Sequence, residues 1–527
     1  MNGLKKLERL LNEGRITRRD FFTRVSAMGL LAAVSPTFFS KPSFALEPKK
    51  GGRFRIGYSH GNTDDSMDPR TLTDEGTFII TWTCRNNLIE IDHNGNAIPE
   101  LAESWEISED LKTWVFNLRQ GVEFHNGKPF EAEDVIYSLN LHRGETKSGA
   151  KALLKEVADI KGDGKHRVIF SLEEGNLDFQ YNLYDYHFSI VPSGTTGKEF
   201  NNCIGTGAYI LEEWEPGVRF HAVRNPNYWK QGRAHFDSVE ILVIRDFNSR
   251  VTALQSGQVD YINDVDLKSV QLLEKSGKIK VVSVPSDFHN AFPMLCDRKP
   301  FDDNNLRLAM KYAFDREQIV KIVLKGHGSL GNDHPIGPNY RFRDTELPQR
   351  QYDPDKARYY IKKAGLANHT FELSTSSERG MVDLAILFKE AAAKAGIDIK
   401  VLNKPADGFW SECWMKDPFI TSYWNGRPTA NAMFTTAYSE ESNWNEGHWA
   451  HEKFNQLLKA ARKEKNTGKR REMYHEMQRI CHDEGPSIIP MFTNNVMAVS
   501  PKLRYKNLCG MIADDNMRVT EKWWFES

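Results

Sequence analysis

From residue 303 to residue 499 short apolar strands alternate with helix patterns, and this alternation constrains the fold more than any other feature. Strand patterns fall at 370–374, 398–402, 419–423 and 489–499. Between them, 303–324 reads as one long helix, with Leu306, Met310, Ala313, Ile319 and Val323 near one face. Asp353-Pro354 opens a helix that stops at Gly365, and 382–395, 452–465 and 470–482 are helices as well. Strands interleaved with helices pack as α/β layers. The first half is richer in strands, at 53–58, 112–118, 207–213, 218–223 and 238–244, with an acidic-started helix at 131–139.

A chain of 527 residues, 40% hydrophobic and 27% charged, buries a large core without metal or disulfide staples. Lysine and arginine number 70 against 71 acidic residues, which argues against nucleic acid as a partner. Residues 1–45 stand apart, with eight basic residues against three acidic. Thr17-Arg18-Arg19-Asp20-Phe21-Phe22 precedes an apolar run at 25–34, and Ser43-Phe44-Ala45 offers a cut after Ala45. The run is shorter than the roughly 20 residues that span a bilayer. Basic start, short apolar centre and small-residue end make a secretory signal, and the paired arginines resemble the twin-arginine type. The expected product is a soluble periplasmic protein that has passed the twin-arginine export machinery. Six cysteines follow, from Cys84 to Cys509, none in a C-x-x-C pair. One or two disulfides or buried thiols are equally compatible with that spacing.

Along residues 50–500 runs a series of motifs. Pro99-Glu100-Leu101-Ala102-Glu103-Ser104-Trp105 leads to Thr113-Trp114, Phe116, Leu118-Arg119, Gly121-Val122, Phe124-His125, Gly127 and Pro129-Phe130. Gly205-Thr206-Gly207-Ala208-Tyr209, Asn225-Pro226 with Tyr228-Trp229, and Pro300-Phe301-Asp302-Asp303 follow in order. Ala313-Phe314-Asp315-Arg316 and Tyr352-Asp353-Pro354 complete the set. In this order they resemble the periplasmic solute-binding proteins that take up dipeptides, oligopeptides and nickel. The resemblance implies a two-lobed periplasmic-binding-protein fold of type II, α/β, with an extra domain inserted in the N-terminal lobe. Lobe I is expected at 46–80, 203–285 and 485–527, the insertion at 81–202 and lobe II at 286–484. It further implies a monomer that is not an enzyme. Such a protein captures a peptide-like or other small polar solute between its lobes and delivers it to ABC permease subunits in the inner membrane. Metal-chelate or haem capture by the same fold is the alternative, as is a receptor or chaperone without a transporter.

Chemistry-bearing motifs are weak. Gly57-Tyr58-Ser59-His60-Gly61 matches the G-x-S-x-G nucleophile elbow, but it ends a first strand instead of following several βα units. A hydrolase using Ser59 and His60 is therefore the minor reading. Gly205 and Gly207 lack the third glycine of a dinucleotide loop, and neither His451-Glu452 nor His475-Glu476 continues into a zincin motif. No cofactor and no metal ligands are expected.

The expected ligand-binding residues follow from strand ends and from the resemblance. Tyr58, Ser59 and His60 end a strand that relatives place at the cleft, and Phe288, His289 and Asn290 lie near a lobe crossover. Arg379, beside Ser377 and Glu378, falls where dipeptide-binding relatives hold a carboxylate. Tyr423, Trp424, Asn425, Gly426, Arg427, Pro428 and Thr429 form the last group. Relatives carry Trp-x-Gly-Asp here, and the Asp receives an α-ammonium. Arg427 in that slot reverses the charge and favours an anionic or polyhydroxylated ligand, unless Asp407 pairs with it.

Overall fold

The computed structural model describes residues 48–376, 378–405 and 409–526. The leader, its cut after Ala45, Ser377 and Asp407 lie outside the described residues. Among those residues no helix is long and apolar enough to cross a membrane.

The first sheet has seven strands. Their order is Lys280–Val284, Asn495–Val499, Tyr261–Ile262, Arg53–Tyr58, Ser238–Val243, Arg219–Arg224 and Tyr209–Glu215. Arg53–Tyr58 runs parallel to both neighbours. Alternation along it turns Phe54, Ile56 and Tyr58 into the core, each fully buried, and Phe54 stacks on Phe236. The second sheet is antiparallel, in the order Gly328–Leu330, Ser487–Thr493, His289–Pro293 and Ser422–Trp424. A parallel pair, Thr370–Thr375 with Asp398–Asn403, joins its edge through a bridge from Ser374 to Ile420. A third sheet, Ala102–Ile107, Thr113–Leu118, Arg167–Leu172 and Val157–Gly162, carries the helix Ala132–Asn140.

The chain crosses between the first two sheets at 285–288 and again at Asn494. The second crossing lies beyond residue 484, where the sequence reading ends lobe II. Ser487–Thr493 pairs with His289–Pro293, whereas Asn495–Val499 pairs with Lys280–Val284. The run at 489–499 is thus two strands in two sheets, and Asn494 is a weak break in an apolar stretch. The expected edge of the insertion at residue 81 falls inside the helix Glu75–Cys84. The helix expected over 303–324 is also two, Asn304–Tyr312 and Arg316–Ile322. Asp315 starts the second by accepting from the Gln318 N–H. All six cysteines are unpaired.

Six charges hold the third-sheet region to the first. The Lys230 ammonium lies 2.6 Å from Glu90, 2.7 Å from Glu100 and 3.2 Å from Glu521. Arg518 reaches Glu100 and Glu521, and Arg233 reaches Glu90.

Candidate functional site

In a parallel sheet, ligands meet the carboxyl ends of the strands, where backbone and loop side chains face a crevice. Ser59 and His60 stand at that end of Arg53–Tyr58. The Ser59 hydroxyl donates to Asp264 Oδ2 at 2.7 Å and accepts from the Asn263 amide at 2.9 Å. His60 Nε2 donates to the same Asp264 oxygen at 2.9 Å and lies 3.4 Å from Glu75. Its Nδ1 faces Asp74 at 3.6 Å. Asp74 also starts the helix Glu75–Cys84 by accepting from the Gly76 N–H. A Cβ on Gly76 would sit 3.0 Å from the His60 carbonyl oxygen, so only glycine lets the helix start seat against this strand end.

Burial works against charge on His60. Hydrogen bonds to Asp264 and Asp74, with the Glu75 charge, nevertheless raise it to about 10. The imidazole is a cation at neutral pH. Desolvation pushes Asp264 up, but the His60 hydrogen bond and charge hold it well below the usual carboxylate range. Burial and the neighbouring Asp264 push Glu75 up.

Among the described residues, His60, Glu75 and Asp264 form the one set whose donor atoms, all within 4.8 Å of one another, could hold a metal ion. The order of groups does not suit a hydrolase. A triad puts histidine between serine and acid, whereas here Asp264 stands between Ser59 and His60.

Beneath this wall Tyr58 is fully buried, and its hydroxyl donates to Asp514 Oδ2 at 2.6 Å. Tyr58, expected among the contact residues, thus supports the wall from beneath. Tyr261 donates to the other Asp514 oxygen. Burial pushes Asp514 up to about 7.

The opposite wall comes from the second sheet. Asn290 pairs with Tyr423 and His289 with Trp424, so these two pairs lie on opposite faces of the sheet. Phe288 and Tyr423 share one face, with ring centres 5.6 Å apart. Arg379 lies against both rings and reaches Glu75 of the first wall at 3.7 Å. The structure thus brings Ser59, His60, Phe288, Arg379 and Tyr423 together. Asn290 is buried on that face, its amide nitrogen without a hydrogen-bond partner.

His289 and Trp424 turn to the other face and are buried. The Trp424 indole N–H donates to Glu446 at 2.8 Å, as does that of Trp414, and the Ser422 hydroxyl donates at 2.6 Å. Burial pushes this carboxyl up. His289 binds the Asp287 carbonyl through Nδ1, and burial brings it down to about 4.

After Trp424 the chain turns through exposed Asn425 to Gly426. A Cβ on Gly426 would lie 2.8 Å from the Met511 carbonyl and 3.0 Å from Asp287 Cβ. The Arg427 N–H donates to the Tyr340 hydroxyl, which fixes the backbone. Its guanidinium lies 5.8 Å from the Trp424 ring and, among the described residues, donates to the Gly426 carbonyl at 3.3 Å. Asp185 is pushed up by burial but held below its ordinary range by His187, and more weakly by Arg427. Pro428 is half-buried. Thr429 caps the helix Ala430–Ala437, its side chain accepting from the Ala432 N–H.

Sequence reasoning missed Asp74, Glu75, Asp264 and Glu446. Only Asp74-Glu75 carries a local signal, as an acidic helix start.

Comparisons with known proteins bear on the family. The family model of bacterial extracellular solute-binding proteins, family 5, matches residues 96–480. A di/tripeptide-binding protein of Pseudomonas aeruginosa is 26% identical over 464 residues, covering 80% of this chain and 86% of that one. The solved DppA of Helicobacter pylori, in complex with the peptide STSA, superposes with a TM-score of 0.76 at 21% identity, over 91% of this chain and 99% of that one. The AgaA protein of A. tumefaciens R10, in complex with agropinic acid, gives 0.76 at 22% identity, over 90% and 99%. Motif order, two sheets crossed twice by the chain, and a match over most of the sequence agree: the chain belongs to the bacterial extracellular solute-binding proteins of family 5.

Proposed function

We propose that the cleft captures a small polar solute carrying an anionic or hydroxyl-rich group, and that Arg427 receives that group. As a member of its family the chain is the substrate-binding subunit of an ABC importer. The loaded protein, a monomer exported by the twin-arginine route and freed of its leader, docks on permease subunits in the inner membrane. One observation carries the ligand reading. The Arg427 guanidinium is half-buried beside Trp424, and among the described residues no carboxylate lies within ion-pair distance. A guanidinium that loses water on lobe closure needs a counter-charge or hydrogen bonds from the solute. Trp424, buried and fixed through Glu446, backs that guanidinium from within the protein.

The relatives' names include peptide and haem binders. A peptide suits this cleft when its carboxylate, and not its ammonium, meets Arg427. The test is a native mass spectrum of the protein as purified, followed by calorimetry of the identified solute on Arg427→Ala. Loss of a charge-assisted hydrogen bond is expected to weaken binding roughly 10- to 150-fold. Unchanged affinity in a folded variant refutes the role of Arg427.

The hydrolase reading is weaker, because His60 carries its proton at neutral pH and cannot act as the base for Ser59. Ester or amide turnover that disappears in Ser59→Ala would restore it.

A further inference from the structure

The rings of Phe288 and Tyr423 are tilted by 30° to one another, with centres 5.6 Å apart. The guanidinium carbon of Arg379 lies 4.9 Å from the first centre and 5.1 Å from the second. An aromatic face attracts a cation through its negative quadrupole, more strongly when water is excluded. From the opposite wall, Glu75 Oε1 approaches Arg379 Nη2 to 3.7 Å. Two rings on one wall and a carboxylate on the other therefore flank a single guanidinium, whose side chain stays 37% exposed.

The backbone of Arg379 supports this reading. Its φ of 45° and ψ of 34° lie in the left-handed region, where a residue with a Cβ is strained. Such a residue persists when its contacts over-determine it. Here the contacts are the two rings and Glu75.

Charge balance gives the arrangement a purpose. Asp74, Glu75 and Asp264 line one wall and would draw an ammonium or guanidinium from a solute. His60 and Arg379 answer that demand from within the chain.

We propose that Arg379 is a specificity-determining residue, plugging a cation cage made of Phe288, Tyr423 and Glu75 so that the cleft selects against solutes with a cation at that point. This rests on the cleft being the solute site.

The experiment uses methylguanidinium as probe. Glycine adopts the backbone of Arg379 without strain, so Arg379→Gly empties the cage and keeps the loop. Calorimetry and thermal midpoint shifts are compared for wild type, Arg379→Gly and Arg379→Lys. Methylguanidinium is expected to bind Arg379→Gly at least about tenfold more tightly than wild type. Adding Glu75→Gln or Tyr423→Ala should abolish the gain, and Arg379→Lys, which keeps a cation in the cage, should behave as wild type. Equal binding by wild type, no binding by folded Arg379→Gly, or tight binding by Arg379→Lys each overturns the proposal. The probe is read without the natural solute. A protein found to capture nothing would count against the import reading alone.

Discussion

The molecule holds two groups of opposed charges, one sealed and one open. Glu90, Glu100 and Glu521 face Lys230, Arg233 and Arg518 behind the first sheet, three against three, with contacts of 2.6 to 3.2 Å. Glu100, Arg518 and Glu521 are at most 1% exposed as side chains. At the cleft, Asp74, Glu75 and Asp264 face His60 and Arg379, and the contacts stretch from 2.9 to 3.7 Å. Asp264 keeps 47% of its side chain exposed. The sealed group satisfies itself and fixes two parts of the fold. The open group has an excess of carboxylate and borrows one cation, Arg379, from the turn Glu378–Gly380, so its balance depends on pH. Such incomplete balance clusters at functional sites.

The strongest way to break the comparison is Lys230→Met. Removing one partner of a buried charged network leaves carboxylates dry and unanswered, at a cost of about 3–5 kcal/mol. Urea unfolding should show that loss, with solute capture at the cleft preserved in the protein that remains folded. A cost below about 1 kcal/mol would mean that water already enters this group, and the distinction between sealed and open would fail.

How far the sequence reveals these two regions differs in the same way. Apolar alternation at 53–58 and 112–118 and the Asp starts at 303 and 353 are local signals, and the structure has strands at Arg53–Tyr58 and Thr113–Leu118 and both helix starts. The break at Asp315 was hidden because Leu306 to Val323 still approximates one helical face. The second crossing was hidden because Thr493-Asn494-Asn495 is a short polar interruption in an otherwise apolar run. The cleft was half legible: Ser59, His60, Arg379 and Tyr423 could be placed at strand ends or in loops one at a time. Asp264 could not, because the strand Tyr261–Ile262 before it has two residues and shows no period. Its meeting with Ser59 spans 205 positions and is made only by the parallel pairing in the first sheet.

A second test sharpens the comparison through pH. The folded pKa of His60 is raised from 6.5 to about 10 by its carboxylates, against the pull of burial. Its contribution to stability is therefore complete below about pH 6.5 and is lost as pH rises through 10. Screening at this partly open wall keeps the change to about 1–2 kcal/mol. Denaturation midpoints measured from pH 6 to 10.5 should fall in wild type, and this component of the slope should vanish in His60→Gln. An equal slope in both proteins would assign the pH dependence elsewhere. The arginines of the sealed group keep their charge throughout that range and supply no such slope.

The smallest effect belongs to Ser59→Ala. The hydroxyl donates one hydrogen bond to Asp264 and accepts one from Asn263, at a half-buried position where water replaces much of what is lost. A net cost of about 0.5–1.5 kcal/mol is expected in chemical denaturation. Losing its hydrogen bond should also raise the Asp264 carboxyl slightly, since a donor to a carboxylate favours the charged form. Carbon-detected NMR titration of the Asp264 side chain reads that shift directly. The variant therefore separates two views of the open wall. If Ser59 is a polar strut under the carboxylates, stability and the Asp264 titration move together and solute capture changes little. If capture falls by more than about tenfold while Asp264 titrates as before, Ser59 touches the solute itself, and the wall is a contact surface as well as a charge store.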